Sequence, residues 1–581
     1  MPGVGIDNDP RVPATTPQIR RRTAGDASRL PADLHPVLRR VYAARGIDGA
    51  DQLALELRHL HAPAALRGID AAAELLQVAI AQQRRIVIAG DYDADGATAT
   101  AVAILGLRAL GAASVDYVVP NRFTMGYGLS PPLVELALAK RAQVLVTVDN
   151  GIASIAGVIA AKAAGLQVLI TDHHLAPPLL PAADAIVNPN QPGCDFPSKH
   201  LAGVGVMFYV LLALRARLRA AGAFAAKPEP NLAELLDLVA LGTVADVVRL
   251  DYNNRILVAQ GLARIRAGRA HAGIRAILQV GGREAERLSA TDLGFVLGPR
   301  LNAAGRLEDM TVGIECLLAP TLEAALPLAM QLDGLNRERR GIEAQMRDEA
   351  LELAAQTDAV GVCLFDPEWH EGVVGLAASR VKDQLHRPVI AFARATEPGM
   401  LKGSGRSIRG LHLRDALAAV DAQHPGLILR FGGHAMAAGL SLAEDALDDF
   451  SEAFDQRCRA LLDDDALEQV IETDGELFAP ELTLTAALAL EQAGPWGQGF
   501  PAPLFEGTFE VTALRALGAD GKHVRYTLRT RAGNSLSGLH FNAGDAVVTQ
   551  GPVRLIYQLS VNRFRGDEML ELRIEHAYPI D

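Results

Sequence analysis

The chain has few cysteines and lacks any long uncharged stretch. Its four cysteines stand singly, without a CxxC pair: Cys194, Cys316, Cys363 and Cys458. This pattern excludes a disulfide scaffold and a zinc knuckle, and it favours a reducing cytoplasm. The longest run without charge or histidine, residues 201–214, covers 14 positions, short of the roughly 20 that cross a bilayer. Because no basic segment followed by an apolar one opens the chain, we expect neither a membrane span nor a secretory leader.

Positive charge is also in deficit. The 581 residues carry 56 Lys and Arg against 68 Asp and Glu, a net charge of −12. A protein that coats DNA without sequence preference is normally basic, so the charge argues against that role, but it allows an enzyme with a confined nucleic-acid channel. The length is about four times the commonest domain size, so we expect several domains.

Short apolar runs alternate with helical stretches between residues 67 and 190. Runs at 84–90, 114–120, 142–151 and 166–174 predict strands, with helices between them, one of which has Ser130 as its expected N-cap. Strands that are apolar throughout, each followed by a helix, predict a parallel sheet buried on both faces. Ligands of such sheets bind at the carboxyl ends of the strands.

The rest of the chain predicts further folded parts. Apolar positions recur at helical intervals from Leu328, with no proline up to residue 359, and predict one long connecting helix. A second α/β unit follows, and β-rich runs after Gly507 predict a small OB-like barrel, with Trp496 and Phe500 as candidates for docking it. The predicted fold class is α/β, with two α/β lobes joined by a long helix and a C-terminal OB-like β-barrel. The predicted boundaries are 1–66, 67–320, 321–358, 359–466 and 467–581.

Acidic and histidine residues follow three of the predicted strands, and a further acid follows a helical run. They are Asp91, Asp93 and Asp95, then Asp149, then Asp172, His173 and His174, and finally Asp246. Carboxylates this close repel one another unless a cation neutralises them, and carboxylates with imidazoles suit Mn²⁺ or Mg²⁺. Taken singly, a DxD segment is typical of a helix cap, and the histidine pair or Asp246 of a structural role. Together, three acid-rich strand ends at one sheet edge predict a metal site.

Several glycine- and arginine-bearing segments predict phosphate binding. The candidates are Arg122 on a glycine-flanked loop, Arg300 and Arg306, Ser404 and Arg406 in LKGSGRS, and Gly432, Gly433 and His434 in FGGHAMAAG before an expected helix start. Glycine turns and helix N-termini accept oxyanions, and arginine binds phosphate through two parallel hydrogen bonds. The alternatives are surface salt bridges for the arginines and a plain turn for the GGH segment.

The predicted barrel carries the positive charge that the whole chain lacks. Eight basic residues and two acids lie between Arg515 and Arg565, a local charge of +6. Basic and aromatic residues interleave there, which favours single-strand binding through phosphate contacts and base stacking. The candidates are Lys522, Arg525, Tyr526, Tyr557, Arg563 and Phe564. The alternative is a barrel core that needs aromatic residues, with a solvated arginine rim.

The segments DYDADG, VTVDNG, DHH and GTVADVV resemble motifs I to IV of the DHH phosphoesterase superfamily, and KGSGRSI with GGHAMAAG resembles its DHHA1 domain. With the barrel, the motif spacing is similar to that of the superfamily's bacterial exonucleases, which degrade single-stranded DNA from the 5′ end in recombination and repair. The similarity covers nearly the whole chain from about residue 67, and no motif position departs from the pattern.

The resemblance implies a role for each site residue. Asp95, Asp149, His173 and Asp246 would hold one divalent ion, and Asp91, Asp93 and Asp149 the other, with Asp149 bridging. His174 would face the scissile phosphate, and Asp172 would orient the histidines. Two ions, Mn²⁺ or Mg²⁺, would polarise a phosphoryl oxygen, lower the pKa of a bridging water and stabilise the leaving 3′-oxygen. Among the phosphate-binding candidates the resemblance favours Arg122, Ser404, Arg406 and His434, and it prefers Arg306 over Arg300.

Two other functions are alternatives. A phosphoesterase of the same superfamily acting on short oligonucleotides or phosphorylated nucleotides would end after the DHHA1 part, whereas the additional basic barrel favours a polymer. A non-catalytic DNA-binding scaffold would lack metal ligands, and all of them are present here. By resemblance, single-stranded DNA is the substrate, a single-stranded-DNA-binding protein and a helicase are expected partners, and the chain is expected to be a monomer.

Overall fold

The structure, a computed structural model, describes residues 17–518, 521–543, 547–563 and 566–580. These residues form two compact units. The larger unit contains residues 20–305, 309–333 and 472–580, and the smaller unit contains residues 17–19, 306–308 and 334–471. Residues from the predicted N-terminal segment, first lobe and barrel thus all contribute to the larger unit.

A five-stranded parallel sheet forms the core of the larger unit. The first strand of the chain, β1 (Gln18–Arg21), belongs to a separate two-stranded sheet. The sheet strands are β2 (Ile86–Ala89), β3 (Val115–Val118), β4 (Val144–Val148), β5 (Gln167–Thr171) and β6 (Ala185–Val187). Their spatial order is β3-β2-β4-β5-β6, and each adjacent pair is parallel. β2 and β4 are buried at every position, as expected for a sheet covered on both faces. The sequence predicts four of these strands and misses β6, which is only three residues long.

Helices cover the sheet and complete the larger unit. Those that begin before residue 320 are α1 (Pro36–Ala43), α2 (Ile69–Ala81), α3 (Ala94–Ala109), α4 (Pro131–Ala139), α5 (Ile155–Ala163), α6 (Gly203–Ala220), α7 (Leu236–Ala245), α8 (Tyr252–Arg266), α9 (Ala272–Val280), α10 (Ala290–Asp292), α11 (Gly298–Leu307) and α12 (Thr311–Leu318). Ser130 occupies the N-cap position of α4, but its side chain makes no capping hydrogen bond. The predicted N-cap position and the prolines at the helix start are therefore confirmed, and Pro132 at the second helical position lacks one of the N–H groups that a capping side chain would bind.

The predicted connecting helix is α13 (Leu322–Ala354), 33 residues with Pro327 inside it. It lies within the predicted segment 321–358 and begins six residues before Leu328, where the apolar periodicity starts. Pro327 removes one intrahelical hydrogen bond without ending the helix.

The smaller unit is built on a mixed five-stranded sheet. Its strands are β7 (Val362–Phe365), β8 (Val389–Arg394), β9 (Met400–Arg406), β10 (Arg430–Gly433) and β11 (Ala437–Ala443), in the spatial order β10-β11-β9-β8-β7. Its helices after α13 are α14 (Val374–Leu385), α15 (Leu413–Gln423), α16 (Leu447–Leu461) and α17 (Asp464–Leu467). Only β7 and β8 are parallel. The FGGHAMAAG segment forms the β10–β11 hairpin, so the predicted helix start after His434 is wrong.

The C-terminal part is the predicted barrel. Its elements are β12 (Val470–Thr473), which pairs with β1, then α18 (Leu484–Gln492), β13 (Phe505–Leu517), β14 (His523–Arg529), β15 (Ser535–His540), β16 (Gly551–Asn562) and β17 (Met569–Pro579). The last five strands close a barrel in the order β13-β14-β15-β17-β16, which leaves no open sheet edge. No described helix has both the length and the apolar composition that a membrane span requires.

A segment at residues 494–503 ties the barrel to the helices of the larger unit. The N–H of Leu250 donates to the carbonyl of Gln498 over 2.7 Å, and the Arg255 guanidinium lies 4.5 Å from the ring centre of Phe500. Phe500 is buried and stacks on Trp496. The two aromatic residues that the sequence suggests for docking therefore lie in this packed segment.

Candidate active site

The three acid-bearing strand ends lie side by side at the carboxyl edge of the parallel sheet. β2, β4 and β5 are neighbours in the sheet, and the DYDADG, DNG and DHH segments follow them directly. Since the strands are parallel, all three segments leave the sheet at the same edge. Asp246 joins them from the C-terminal end of α7.

Five side chains meet in two overlapping donor sets. Asp95, His173 and Asp246 form one set, and Asp149, His173 and His174 the other, with ligand atoms within 4.8 Å of one another in each. Nε2 of His173 lies 3.0 Å from Oδ1 of Asp149 and 3.5 Å from Oδ2 of Asp246. These three atoms are buried and make no hydrogen bond within the described residues. Buried polar atoms without partners are costly, and hard oxygen donors with one imidazole fit a divalent cation such as Mn²⁺ or Mg²⁺.

Burial, followed by repulsion between the carboxylates, raises the pKa values of the acids in this cluster. Burial, together with Asp246, raises the pKa of Asp95 to about 7. Burial, together with Asp93, raises the pKa of Asp246 to about 8, and burial raises that of Asp149 well above its usual range. Burial lowers the pKa of His173, which keeps its imidazole neutral, the form that binds metals. A cation would replace the protons that these carboxyls otherwise hold.

Backbone geometry at two neighbouring positions fixes the cluster. Asp149 has a φ of +63° directly after β4, a left-handed conformation that Asp tolerates better than most residues. A Cβ on Gly203 would lie 2.5 Å from the Cβ of Asp149, so only glycine allows α6 to start this close. Asp95 accepts the N–H groups of Gly203 and Val204 over 2.6 and 3.0 Å. The start of α6 therefore positions both acids, and no pattern in the sequence singles out Gly203.

Asp91 and Asp93 lie beside the cluster but outside the two donor sets. Oδ1 of Asp93 caps α3 by accepting the N–H of Gly96 over 2.9 Å, as the helix-cap alternative expects. Asp91 is buried, and burial together with Asp93 raises its pKa to about 8. Their role as ligands of a second ion stays a prediction.

Asp172 holds His174 in a fixed orientation. Its Oδ1 accepts Nδ1–H of His174 over 2.7 Å, and its Oδ2 accepts the N–H of Ile152 over 2.9 Å. Although burial alone would lower the pKa of His174, the hydrogen bond to Asp172 raises it to about 9. The protonated imidazole carries a second N–H at Nε2, which lies 3.2 Å from the Tyr127 hydroxyl, and its contact with a phosphate stays a prediction.

Tyr127 is a site residue that the sequence analysis misses. Its ring is half-exposed, but its hydroxyl donates to the carbonyl of Asp149 over 3.1 Å and lies 3.2 Å from Nε2 of His174. It lies on the same loop as Arg122, whose guanidinium is 4.1 Å from the ring centre of Tyr92. The sequence interpretation of the PNRFTMGYG segment considers only its arginine. The position of Tyr127 between two glycines is the feature that could have indicated a role for the tyrosine.

The LGPRLNAAGR segment supports the DYDADG loop. Oδ1 of Asn302 accepts the N–H of Ala94 over 2.7 Å, and a Cβ on Gly305 would lie 1.7 Å from the carbonyl oxygen of Tyr92. Arg300 pairs with Asp333 over 2.9 Å, so the salt-bridge alternative describes it. The small residues that suggest a phosphate loop therefore allow a close helix contact.

In the smaller unit, Ser404 and Arg406 lie together on β9. Nη1 of Arg406 donates to Oγ of Ser404 over 3.1 Å. Burial lowers the pKa of Arg406, and within the described residues this guanidinium forms no ion pair. A Cβ on Gly375, in the first turn of α14, would lie 2.6 Å from Oγ of Ser404. A half-buried arginine, a hydroxyl and a helix N-terminus at one place suit an oxyanion.

The remaining phosphate-site candidates of this unit lie around that pair. Arg306 donates to the carbonyl of Gly372, in the loop before α14, over 3.0 Å. Gly433 has a φ of +141° at the β10–β11 turn, and His434 donates its N–H to the carbonyl of Ala437, which is opposite Arg406 in the sheet. In the described chain no helix begins directly after His434; the helix N-terminus beside Ser404 and Arg406 is that of α14.

An ion pair that the sequence does not predict lies beside Ser404 and Arg406. Lys402 lies on the same face of β9 as Ser404 and pairs with Glu371 over 3.0 Å.

The barrel candidates separate into core and surface residues. Tyr526 and Tyr557 are 1% and 0% exposed, so they cannot stack on bases, and the barrel-core alternative is correct for them. Arg563 is neutralised by Glu491 and Glu568 over 2.6 and 2.9 Å. Lys522 and Arg525 remain as predictions, with Arg525 3.5 Å from Glu571. Phe564 lies outside the described residues.

Comparisons with known proteins fit this geometry. Residues 85–243 match the DHH family N-terminal domain, residues 357–460 the DHHA1 domain and residues 473–576 the RecJ OB domain. The single-stranded-DNA-specific exonuclease RecJ of Dickeya dadantii is 54% identical over 97% of this chain and 99% of its own length.

The chain belongs to the RecJ family.

Solved RecJ structures agree with this assignment. RecJ from Thermus thermophilus in complex with Mn²⁺ superposes with a TM-score of 0.81 at 30% identity, covering 97% of this chain and 80% of that one. The Mg²⁺ complex gives 0.76 at 29% identity, covering 97% and 79%. The predicted fold class, DHH and DHHA1 lobes with an OB barrel, is confirmed for this RecJ-family chain.

Proposed function

We propose that this RecJ-family chain hydrolyses single-stranded DNA from the 5′ end and releases mononucleotides. The observation that carries the proposal is the buried donor cluster of Asp95, Asp149, His173 and Asp246, in a chain that also has the DHHA1 and OB domains. Relatives at 54% and 50% identity are named single-stranded-DNA-specific exonucleases. The activity belongs to DNA recombination and repair.

The cofactor is Mn²⁺ or Mg²⁺, as the metal complexes of the Thermus thermophilus relative and the donor chemistry of the cluster support. We assign Asp95, Asp149, His173 and Asp246 to one ion, and Asp149 with Asp91 and Asp93 to a second. When bound, the ions stabilise the negative charge that develops on the phosphoryl oxygens during hydrolysis. The three buried atoms without hydrogen-bond partners in the described chain support the first ion; the second rests on the charge of the DYDADG segment.

His174 is the group of this chain that we assign to the scissile phosphate. Asp172 binds Nδ1–H, and we propose that Nε2–H exchanges its contact with the Tyr127 hydroxyl for a phosphoryl oxygen when the substrate binds. The Tyr127 hydroxyl, 3.2 Å from that Nε2, limits how the imidazole can turn. A fixed donor aimed at developing charge costs no reorganisation during the reaction.

Selectivity for the 5′ end is assigned to the anion site of the smaller unit. Arg406, Ser404 and the first turn of α14 offer a charge, a hydroxyl and backbone N–H groups, and Arg306 and the Gly433–His434 turn lie in the same unit. A terminal 5′-phosphate carries more negative charge than an internal diester, so it gains most from these donors. Arg122, in the larger unit, is assigned to the same substrate by the family resemblance.

We propose further that the chain acts as a monomer in the cytoplasm, with a single-stranded-DNA-binding protein and a helicase as partners. The family resemblance supports the partners, and the four cysteines without disulfides are compatible with a reducing compartment. Light scattering and co-sedimentation with each partner test these assignments.

End-labelled substrates test the proposed reaction. Single strands and duplexes labelled at the 5′ or the 3′ end are digested with Mn²⁺, Mg²⁺ or EDTA. The 5′ label on single strands should be released at once as a mononucleotide, and the 3′ label only after extensive digestion, with no product in EDTA. Release of the 3′ label first, or equal digestion of single strands and duplexes, would favour a different phosphoesterase.

A further inference from the structure

A second cleft in the larger unit carries concentrated positive charge. It has a volume of about 410 Å³ and lies between the end of α8, the start of α9, the end of α12 and the start of α13. Three arginines and a histidine line it: Arg264, Arg269, Arg275 and His271. None of the described residues that line it is acidic, and most of the others are apolar. The volume is within the range of small-ligand sites.

One buried carboxylate behind the cleft contacts two of the side chains that line it, His271 and Arg264. Asp237 is 0% exposed, its Oδ1 lies 2.9 Å from Nδ1 of His271, and the same oxygen lies 3.9 Å from Nε of Arg264. Nε of Arg264 is buried and makes no hydrogen bond in the described part of the chain. The remaining edge of His271 is left to line the cleft.

Arg269 and Arg275 supply charge that stays available to a ligand. Both are exposed, and neither forms an ion pair or a side-chain hydrogen bond within the described residues. Arg275 contributes to the lowered pKa of Glu323, but the two side chains form no ion pair within the described residues. The N-termini of α9 and α13 border the cleft, but so do the carboxyl ends of α8 and α12, whose dipoles oppose them. The arginines therefore make this a site for an anion.

The cleft is separate from the metal cluster. Leu105, which lines it, comes ten residues after Asp95 on α3, roughly 15 Å along the helix. Asp237, behind it, comes nine residues before Asp246 at the other end of α7, roughly 13 Å away. The same two helices thus connect the cleft and the metal site at opposite ends.

We propose that this cleft binds the phosphate group of a nucleotide. The planar guanidinium fork binds phosphate oxygens in pairs, and the apolar remainder of the wall leaves room for a sugar or base. The phosphate has two possible sources, a free mononucleotide or the backbone of a bound single strand. Binding is measured without hydrolysis, so a failed exonuclease assignment and a failed cleft assignment are distinguishable.

The test uses the full chain in EDTA with Arg406→Ala, which removes the phosphate-binding residue proposed in the smaller unit. Into this background we introduce R269Q with R275Q. The matched control is R283Q with R287Q, which removes the same charge from two exposed arginines that pair with Asp292 and Glu284. Inorganic phosphate and dAMP are titrated by calorimetry, and an oligothymidylate by fluorescence anisotropy at several salt concentrations, with circular dichroism as the folding check.

The cleft variant should bind its ligand at least about tenfold more weakly, and the control should stay within about twofold of the background. A loss for phosphate and dAMP identifies a free nucleotide as the source. A loss confined to the oligonucleotide, with a salt slope shallower by about 0.7 for each phosphate no longer neutralised, identifies the strand backbone. If the two double variants bind all three probes alike, the cleft is not a phosphate site.

Discussion

Replacing Asp246 by asparagine is expected to stabilise the metal-free protein while it abolishes hydrolysis. Oδ2 of Asp246 is buried, lacks a hydrogen-bond partner in the described chain and lies 3.5 Å from Nε2 of His173. Burial, with the carboxylate of Asp93, raises the pKa of Asp246 from 3.8 to about 8. Asparagine keeps the shape of the side chain but removes both the repelled charge and the strong metal ligand.

The sign of the stability change follows from proton binding. Because the pKa of Asp246 is higher in the folded chain, the folded state holds a proton that the unfolded state releases. The free energy of unfolding therefore falls as pH rises from about 4 to about 8. At pH 7 the difference amounts to at most about 4 kcal/mol, and water entry and relaxation reduce it to roughly 2 kcal/mol. The asparagine variant has no carboxyl group at this position, so its free energy of unfolding does not fall with pH for this reason.

Urea unfolding in EDTA at pH 5 and pH 7.5, paired with turnover in Mn²⁺, measures both effects. D246N should exceed the wild type in stability by about 2–4 kcal/mol at pH 7.5 and by less at pH 5, and Mn²⁺ should stabilise only the wild type. D184N is the control, because Asp184 pairs with Lys162 outside the cluster over 2.7 Å and its loss should leave turnover unchanged. A D246N protein that is less stable at pH 7.5, or that keeps more than a small fraction of turnover, would refute the reasoning.

Three further sets of substitutions test the anion site, the docking segment and the barrel. Arg406→Ala should weaken binding of 5′-phosphorylated strands about ten- to a hundredfold and that of 5′-hydroxyl strands less; equal losses in a competition assay would count against end recognition. Phe500→Ala should lower the free energy of unfolding by about 3–5 kcal/mol, because its ring is buried at the docking segment; an unchanged urea midpoint would contradict that packing. K522A with R525A should weaken long-strand binding and flatten its salt slope by roughly 0.7 for each phosphate that the variant no longer neutralises, whereas Tyr526→Phe, inside the barrel, should not. An unchanged slope in the double variant would remove the barrel from DNA binding.

The sequence indicates which acids and histidines come together, because their grouping depends on local patterns. An apolar run followed by Asp91, Asp149 or Asp172 already places each acid at a strand end, and parallel connectivity brings the ends to one edge. The strand-end acids and histidines come together at that edge, and only Asp246 reaches it from elsewhere, at the end of a helix. The order β2-β4-β5, which makes these ends neighbours, completes what the motifs indicate.

Residues whose role depends on distant packing could not be predicted. Gly203 matters because α6 starts against Asp149, more than fifty positions earlier, and α14 supplies the anion-binding helix start to Arg406 from another part of the sequence. Basic residues surround Tyr526 in the sequence, and this pattern fits either face of a strand. Only the closed barrel shows that the Tyr526 ring points inward. The His434 segment is short and rich in glycine, so its sequence does not distinguish a hairpin from a loop before a helix.

Counting bound Mn²⁺ in the wild type and in Asp149→Ala, together with turnover on a 5′-labelled single strand, tests the central claim most directly. Asp149 belongs to the buried cluster, with Oδ1 3.0 Å from Nε2 of His173, and we assign it to both ions. We expect two tightly bound ions in the wild type, loss of tight Mn²⁺ binding and of turnover together in the variant, and retained single-strand binding. A variant that still binds two ions tightly and still releases the 5′ label would contradict the assignment of this cluster as the metal centre of the enzyme.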